Sequence, residues 1–304
     1  MKPEKKHFPV LLKEILSIIS PLHGGTFIDC TFGEGGYTNA ILNNPKNKII
    51  ALDRDKKTIF NSEVFKKKFK NRFKFENRKF SEIDKVVKKE ENIKAIIFDL
   101  GYSLTQINDH EKGLSFNAKG KLNMKMGLNE FSAHEAINQL DQKDLESIFK
   151  YFGEEKKSKA ISRKICKLRK AKILKTEDLV QIINTVKFKK KNIHKATQVF
   201  QSLRIFVNSE ISELILGLIN SFKILPIGGM ILIVSFHSIE DRIVKHFFKD
   251  KVIYKNLSYD IEYSFNNIEL KVLTKKPIIE SDKNIKRNSR SRSAKLRVAE
   301  RVAW

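Results

Sequence analysis

The 304-residue chain has only two cysteines, Cys30 and Cys166, far apart and outside any metal-ligand spacing. This scarcity excludes a disulfide framework and a cysteine-based metal site, so two reduced thiols and no bound metal are expected. Long apolar runs are missing as well. The longest, Met230 to Val234, is far short of the roughly 20 residues that cross a bilayer. The first residues are charged, and the next apolar patch is broken by Lys13 and Glu14, which is not a signal-peptide layout. A cytoplasmic protein with no membrane partner is expected. Acidic residues are also short: 35 against 60 Lys and Arg, a net charge of +25. That balance favours a polyanionic partner, either nucleic acid or an acidic membrane surface, with nucleic acid preferred. Lysine far outnumbers arginine, a skew that an AT-rich genome also produces, so part of the charge is open to a compositional reading.

What is present is enough apolar residue, 41%, to bury a core. The organising stretch is Asp29-Cys30-Thr31-Phe32-Gly33-Glu34-Gly35-Gly36-Tyr37, between the β-like Thr26-Phe27-Ile28 and the helical Thr38-Asn39-Ala40-Ile41-Leu42. Strand, glycine turn and helix in that order form the first βα unit of a nucleotide-binding sheet. Glycine takes positive φ and lets a ligand approach where a Cβ would stand. A second strand, Lys48 to Leu52, ends at Asp53, twenty positions after Gly33. In doubly wound sheets an acid there accepts hydrogen bonds from a ribose. The dinucleotide pattern needs a third glycine where this chain has Thr38, so a cofactor without a pyrophosphate, such as S-adenosylmethionine, fits better. A plain structural turn with an incidental acid is the alternative.

The rhythm continues with a basic helix from Asp55 to Phe69, a strand over Arg72 to Glu76, and a turn at Phe80 with Ser81 capping a helix to Glu90. An apolar strand from Ala95 to Leu100 follows and carries Asp99 near its end. Alternating strands and helices predict an α/β, Rossmann-like parallel sheet. Asp29, Asp53, the Phe80 turn and Asp99 then share its carboxyl edge, where ligands bind. Before the sheet, Pro9 to Ile19 has helical spacing with Pro9 in the first turn.

From Thr105 to about Ser209 no strand is predicted. Ser132 to Glu135 spells a capping box, Gly153 suits a helix end, Glu154 to Lys172 is one long helix, and Thr176 caps another through Val186. Between Lys150 and Lys175 stand eleven Lys or Arg and two acids, either a solvated face or a nucleic-acid surface. The predicted organisation is a parallel sheet from 1 to 104, a helical insertion over 105–209, and the rest of the sheet over 210–304. In that last part Met230 to Phe236 is a buried strand. Ser238 caps the next helix, Ile268 to Leu273 and Lys295 to Val302 are the final strands, and Lys283 to Arg292 is a mobile basic loop.

Several motifs resemble the RsmH (MraW) family of bacterial S-adenosylmethionine-dependent methyltransferases of small-subunit ribosomal RNA. They are His7 to Glu14, Asp29 to Gly36, Asp53-Arg54-Asp55, Asp99-Leu100-Gly101, Gly113 to Phe116, Tyr151 with Gly153-Glu154-Glu155, Phe200 to Glu210, and Ser235 to Lys245. The resemblance implies a Rossmann-like class I methyltransferase sheet, in two parts over 1–104 and 210–304, interrupted by a mostly helical substrate-recognition domain over 105–209 that would recognise RNA. It also implies methylation of the N(4) amino group of a cytosine in the decoding region (P site) of 16S rRNA, within the small ribosomal subunit. A homodimer is a candidate assembly. Cofactor contacts carry over to Gly33, Gly35, Gly36, Tyr37, Asp53, Phe80, Asp99 and Gln106. The chain departs from the family at Tyr37, usually His, at Leu104-Thr105, usually Ser-Pro, and at Asn123, usually Asp.

Methyl transfer is an in-line displacement, so positioning supplies much of the rate. A cytosine amine is a poor nucleophile until its hydrogens are accepted by a neighbouring group. Asp99, Tyr102, Asn123 and His237 are the catalytic candidates. Asp99 would bind cofactor or hold the amine, while Tyr102 would stack on an unstacked base or pack as a core tyrosine. Asn123 stands where an acid is usual near the substrate entrance. His237 is either a base or part of a helix start. Phe80 packs beside an adenine or into the core, and Gln201, Arg204 and Asn208 share a helical stripe that faces RNA or a buried seam. The alternatives are a DNA amino-methyltransferase and a non-catalytic RNA-binding assembly factor.

Overall fold

The computed structural model describes residues 9–20, 22, 24–88, 91–117, 119–169, 173–186, 194–250 and 269–303. His7 and Phe8, and the ends of the helices expected to reach Glu90 and Lys172, lie outside those residues. The chain forms two compact units, Met1–Gly101 with Glu213–Trp304, and Tyr102–Ser212. The first begins with α1 (Leu12–Ile19), β1 (Gly25–Asp29), α2 (Gly36–Leu42), β2 (Asn47–Leu52), α3 (Thr58–Phe69), β3 (Phe73–Glu76) and β4 (Ile93–Asp99). The second holds α4 (Leu104–Asn108), α5 (Ala133–Gln139), α6 (Gln142–Tyr151), α7 (Ser158–Leu168), α8 (Thr176–Asn184) and α9 (Thr197–Val207). The boundary falls within α10 (Glu210–Ile224). The first unit then resumes with β5 (Met230–Ser235), α11 (Ser238–Asp250), β6 (Glu269–Val272), β7 (Ile278–Ile279), α12 (Asp282–Arg287) and β8 (Lys295–Ala303).

The first unit is built on a sheet of order β3-β2-β1-β4-β5-β8-β6, with β7 also on β8. β1 to β5 pair in parallel, and β8 runs antiparallel to β5, β6 and β7. Strands buried on both faces read as unbroken apolar runs, as Ile96-Ile97-Phe98 and Ile231 to Val234 do here, all of them fully buried. The strand order reverses between β1 and β4, and the crevice beyond their carboxyl ends is the topological switch point. Asp29, Asp53 and Asp99 end or follow β1, β2 and β4 at that edge.

Several local expectations are corrected. α1 starts at Leu12, not at Pro9, because Leu11 has φ 54 and cannot continue a helix; its amide donates to Glu280 Oε2 at 3.0 Å. Ser81 caps nothing: Phe80–Lys85 is a 3-10 turn entered from Lys79. The basic loop expected over Lys283 to Arg292 is α12 followed by a 3-10 turn, with Ser291 buried. The short β7 went unread because two residues carry no periodicity. Deep in the sheet, the Arg301 guanidinium donates to the carbonyls of Phe222 and Leu225, closing the C-terminus of α10.

The second unit contains no strand among its described residues, only the isolated bridge between Lys121 and Lys175. Its core gathers Ile137, Leu145, Phe149, Ile161, Ile165, Leu179 and Leu203 from successive helices. The Ser132 capping box forms as spelled, with Glu135 accepting from the Ser132 amide at 2.6 Å. Gly153 does not terminate α6 by a left-handed turn; Glu154 takes the positive φ, and Gly153 is needed because a Cβ would crowd the Gln198 carbonyl at 2.6 Å. The long helix from Glu154 shrinks to α7, and α8 is capped through Lys175, whose amide donates to Asp178 at 2.8 Å, not by Thr176.

Candidate active site

The glycine turn is closed by acids. Asp29, fully buried, accepts from the Thr31 amide at 3.2 Å and from the Thr38 hydroxyl at 2.7 Å. Burial pushes its pKa up to about 6 in spite of those bonds. Thr38, which breaks the dinucleotide pattern, thus ties the first turn of α2 to the end of β1. Asp53 Oδ2 accepts from the Gly33 amide at 2.8 Å, and Oδ1 from the Asp55 amide at 2.8 Å. Burial raises this carboxyl to about 6 as well. Each oxygen keeps a second lone pair, so the side chain fixes the turn and can still accept from a ligand hydroxyl.

The glycines are not equivalent. Gly33 has φ +53 and only the Thr31 carbonyl, at 3.9 Å, near the place of a Cβ, so its face is open. A Cβ on Gly35, at φ +76, would run into the rings of Phe65 and Phe32, and one on Gly36 into Pro9. At Gly35 and Gly36 the need for glycine therefore comes from the protein's own packing, while Gly33 leaves room for a ligand to approach. Tyr37 is buried and donates its hydroxyl to the Val10 carbonyl, holding the segment before α1 on the turn.

Asp99 closes β4. Its amide donates to Thr31 Oγ1 at 2.8 Å, and its Oδ1 is buried without a hydrogen-bond partner. Burial, then the charges of Asp29 and Glu240, push the carboxyl up to about 8. The Tyr37 hydroxyl, which donates to the Val10 carbonyl, is also within hydrogen-bonding reach of this carboxyl and offsets part of that rise. Phe80, half-buried, packs edge-on against Phe98 with ring centroids 5.4 Å apart, and Gly217 on α10 leaves room for it. A Cβ there would sit 2.7 Å from Phe80 Cδ2.

His237 sits at the start of α11. Its Nδ1 accepts from the Glu240 amide at 3.4 Å, its Nε2 lies 3.1 Å from Glu240 Oε1, and Glu240 Oε2 accepts from the Phe236 amide at 2.9 Å. This is a reciprocal helix cap built by His237 and Glu240, so Ser238 is the first helical residue and not the cap.

The second unit positions the other candidates. Tyr102 is 39% exposed, and the Arg204 guanidinium lies 4.8 Å from its ring centroid. Arg204 is held in turn by Glu210, through Nε and Nη2 at 2.8 Å each. Gln106 completes a capping box with Ser103, its Oε1 accepting from the Ser103 amide at 3.0 Å. Asn123 Oδ1 accepts from the Lys125 amide at 3.3 Å, bracing a turn in which Met124 has φ 61. Asn208 is buried and secures the same turn, accepting from the Met126 amide and donating to the Met124 carbonyl at 2.8 Å each. Of the helical stripe, Arg204 and Asn208 are buried and bonded to residues of the second unit itself, while Gln201 is half-buried. Motif reading took Thr38 only as the break in the dinucleotide pattern and missed Thr31 and Gly217, of which Gly217, a glycine inside an apolar helix, left a local signal.

A twisted α/β sheet of this order, with a glycine turn and acids at the switch point, defines a Rossmann-like fold of the class I methyltransferase type. A sequence profile of the MraW methylase family matches residues 4–302. Ribosomal RNA small subunit methyltransferase H of Rickettsia canadensis is 40% identical over 98% of this chain and 99% of its own length. The protein of the same name from Ehrlichia canis is 40% identical over 96% of this chain and 98% of its own. A methyltransferase from Streptococcus mutans, solved with SAH, aligns at TM-score 0.44 and 11% identity over 97% of this chain and 100% of that one. The chain belongs to the MraW methylase family.

Proposed function

We propose that the protein transfers a methyl group from S-adenosylmethionine to the N(4) amino group of a cytosine in the decoding region of 16S rRNA, on the small ribosomal subunit. Family membership over residues 4–302 supports the reaction class. The residues present suit the cofactor. Gly33 offers an open backbone face, Asp53 has lone pairs for ribose hydroxyls, and Phe80 offers an aromatic face at the crevice. The observation that carries the reading is Asp99, whose buried Oδ1 lacks a partner and would be satisfied by an N–H donor. S-adenosylmethionine supplies an electrophilic methyl on a sulfonium.

The chain's own work is positioning and proton handling. Asp99 accepts an amine hydrogen, which frees lone-pair density on the nucleophilic nitrogen, and a carboxyl titrating near 8 is a competent proton acceptor close to neutral pH. Tyr102 stacks on the unstacked base with the ring face not covered by Arg204. The second unit recognises RNA. Asn123 does not argue for a silent assembly factor, since its bond to the Lys125 amide is one that Asn and Asp make equally well. Transfer of labelled methyl to small subunits from a strain lacking the modification, with product mapping to a cytosine amine, tests the proposal. Transfer to DNA instead, or cofactor binding with no transfer to any nucleic acid, overturns it.

A further inference from the structure

α7 buries one face and leaves another wholly cationic. Ile161 and Ile165 enter the core of the second unit, while Lys159, Arg163 and Lys167 are exposed at i, i+4 and i+8. The successive Cα positions of that stripe rise by about 6 Å, close to the spacing of phosphates along a single strand. Lys156 and Lys157, both exposed, extend the charge past the N-terminus of the helix. α7 itself carries no acid, and the neighbouring Glu155 is buried with Oε1 accepting from the Lys157 amide at 2.8 Å. Like charges at i, i+4 destabilise an isolated helix, so the stripe weakens α7 on its own. The lysines of α3 differ, because Lys66 there pairs with Glu63 at 2.8 Å.

A second observation lies at the end of the preceding helix, which packs against α7. Tyr151, the last residue of α6, is 56% exposed, and Lys150 Nζ stands 5.2 Å from its ring centroid. An exposed aromatic beside a row of exposed cations is the combination that binds single-stranded nucleic acid, through base stacking and backbone charge. We propose that the α6–α7 face is a docking surface for an RNA strand, with Lys159, Arg163 and Lys167 on successive phosphates and Tyr151 stacked on a base. This rests on the proposed action on ribosomal RNA, and names where the strand is held.

The test measures equilibrium binding to small ribosomal subunits across a salt series, and methylation of the same subunits. Reversing the stripe (K159E/R163E/K167E) is expected to weaken binding at least tenfold and to raise KM with kcat within about twofold. Each phosphate no longer neutralised flattens the log–log salt slope by about 0.7–0.9. Tyr151→Ala is expected to weaken binding roughly fivefold or more through the absence of stacking, with the slope unchanged. Reversing three exposed lysines of the other unit, Lys67, Lys70 and Lys88, controls for net charge and is expected to leave the slope as in the wild type. Unchanged binding and slope in a stripe variant with wild-type circular dichroism overturn the docking surface, as does an equal effect of the control. If the wild type binds subunits but methylates nothing, the proposed reaction fails while the surface is still decided by the binding data.

Discussion

The Gly33 amide donates to Asp53 Oδ2 at 2.8 Å, so two residues twenty positions apart in sequence share one hydrogen bond at the switch point. The bond makes the acid a part of the turn before any ligand arrives. Asp53→Ala should therefore disturb both the turn and the proposed ribose contact. Hydrogen bonds to charged groups contribute about 1.5–3 kcal/mol, and titration calorimetry with S-adenosylmethionine should show affinity lower by at least tenfold. Wild-type affinity in the variant would remove Asp53 from the site.

Gly217 is an indirect determinant of the same site. Gly217→Ala places a Cβ 2.7 Å from Phe80 Cδ2, so the ring must move. Overpacking of this kind costs about 1–3 kcal/mol. Chemical denaturation should show that loss, and cofactor affinity should fall with it. A variant of undiminished stability and affinity would show that the ring is free to shift.

Asp99 should make stability depend on pH and, as the proposed proton acceptor, activity as well. Its carboxyl, ordinarily at 3.8, titrates near 8 when folded. The folded state therefore holds the extra proton across that window, and the associated stability, complete below the lower value, is lost as pH rises through about 8. Asp29 and Asp53, raised to about 6, act in the same direction at lower pH. Asp99→Asn should flatten the fall in Tm between pH 6 and 8.5 (about the upper half of that window). Methylation by the wild type should rise through pH 8 as the accepting form appears, and the variant should lose roughly a hundredfold or more. A wild-type profile that is flat across this range would argue against Asp99 as the proton acceptor.

Arg204 stands under Tyr102 because Glu210 holds it. Both ends of this ion pair are about nine-tenths buried, with side-chain exposures of 9% and 10%. Glu210→Ala removes the carboxylate from this buried ion pair, a loss on the order of 3–5 kcal/mol. Tyr102→Ala should instead spare stability and reduce single-turnover methylation of subunits. If the Tyr102 variant lost stability but kept its rate, the ring would be packing and not substrate-binding.

Asn123→Asp preserves the acceptor for the Lys125 amide. Melting should show no more than about 0.5 kcal/mol of change, and methylation should stay within a few-fold of wild type. A gain of orders of magnitude would instead identify this position as a missing catalytic acid.

Much of the scaffold was legible in sequence because the signals are local. An apolar run ending in an acid marks β1, β2 and β4, the glycine turn announces the entry to α2, and Ser132 with Glu135 spells its cap three residues ahead. Boundaries were less legible. Leu11, Glu154 and Lys70 take positive φ without being glycine, and Leu11 is held there by a residue far along the chain, Glu280. His237 replaced Ser238 as a cap for a related reason, with Glu240 reaching back to the Phe236 amide.

The site divides along the same line. Periodicity, turn chemistry and charge balance, all local properties of the chain, determined the sheet, its carboxyl edge and a cationic helical segment. Only the tertiary structure decided how each residue serves. It placed Pro9 and Phe65 against Gly36 and Gly35, turned the Tyr37 proton toward Val10, enclosed Asp99 beside Asp29 and Glu240, and put Arg204 beneath Tyr102. Those roles depend on desolvation and on contacts between residues distant in sequence, which no local pattern encodes.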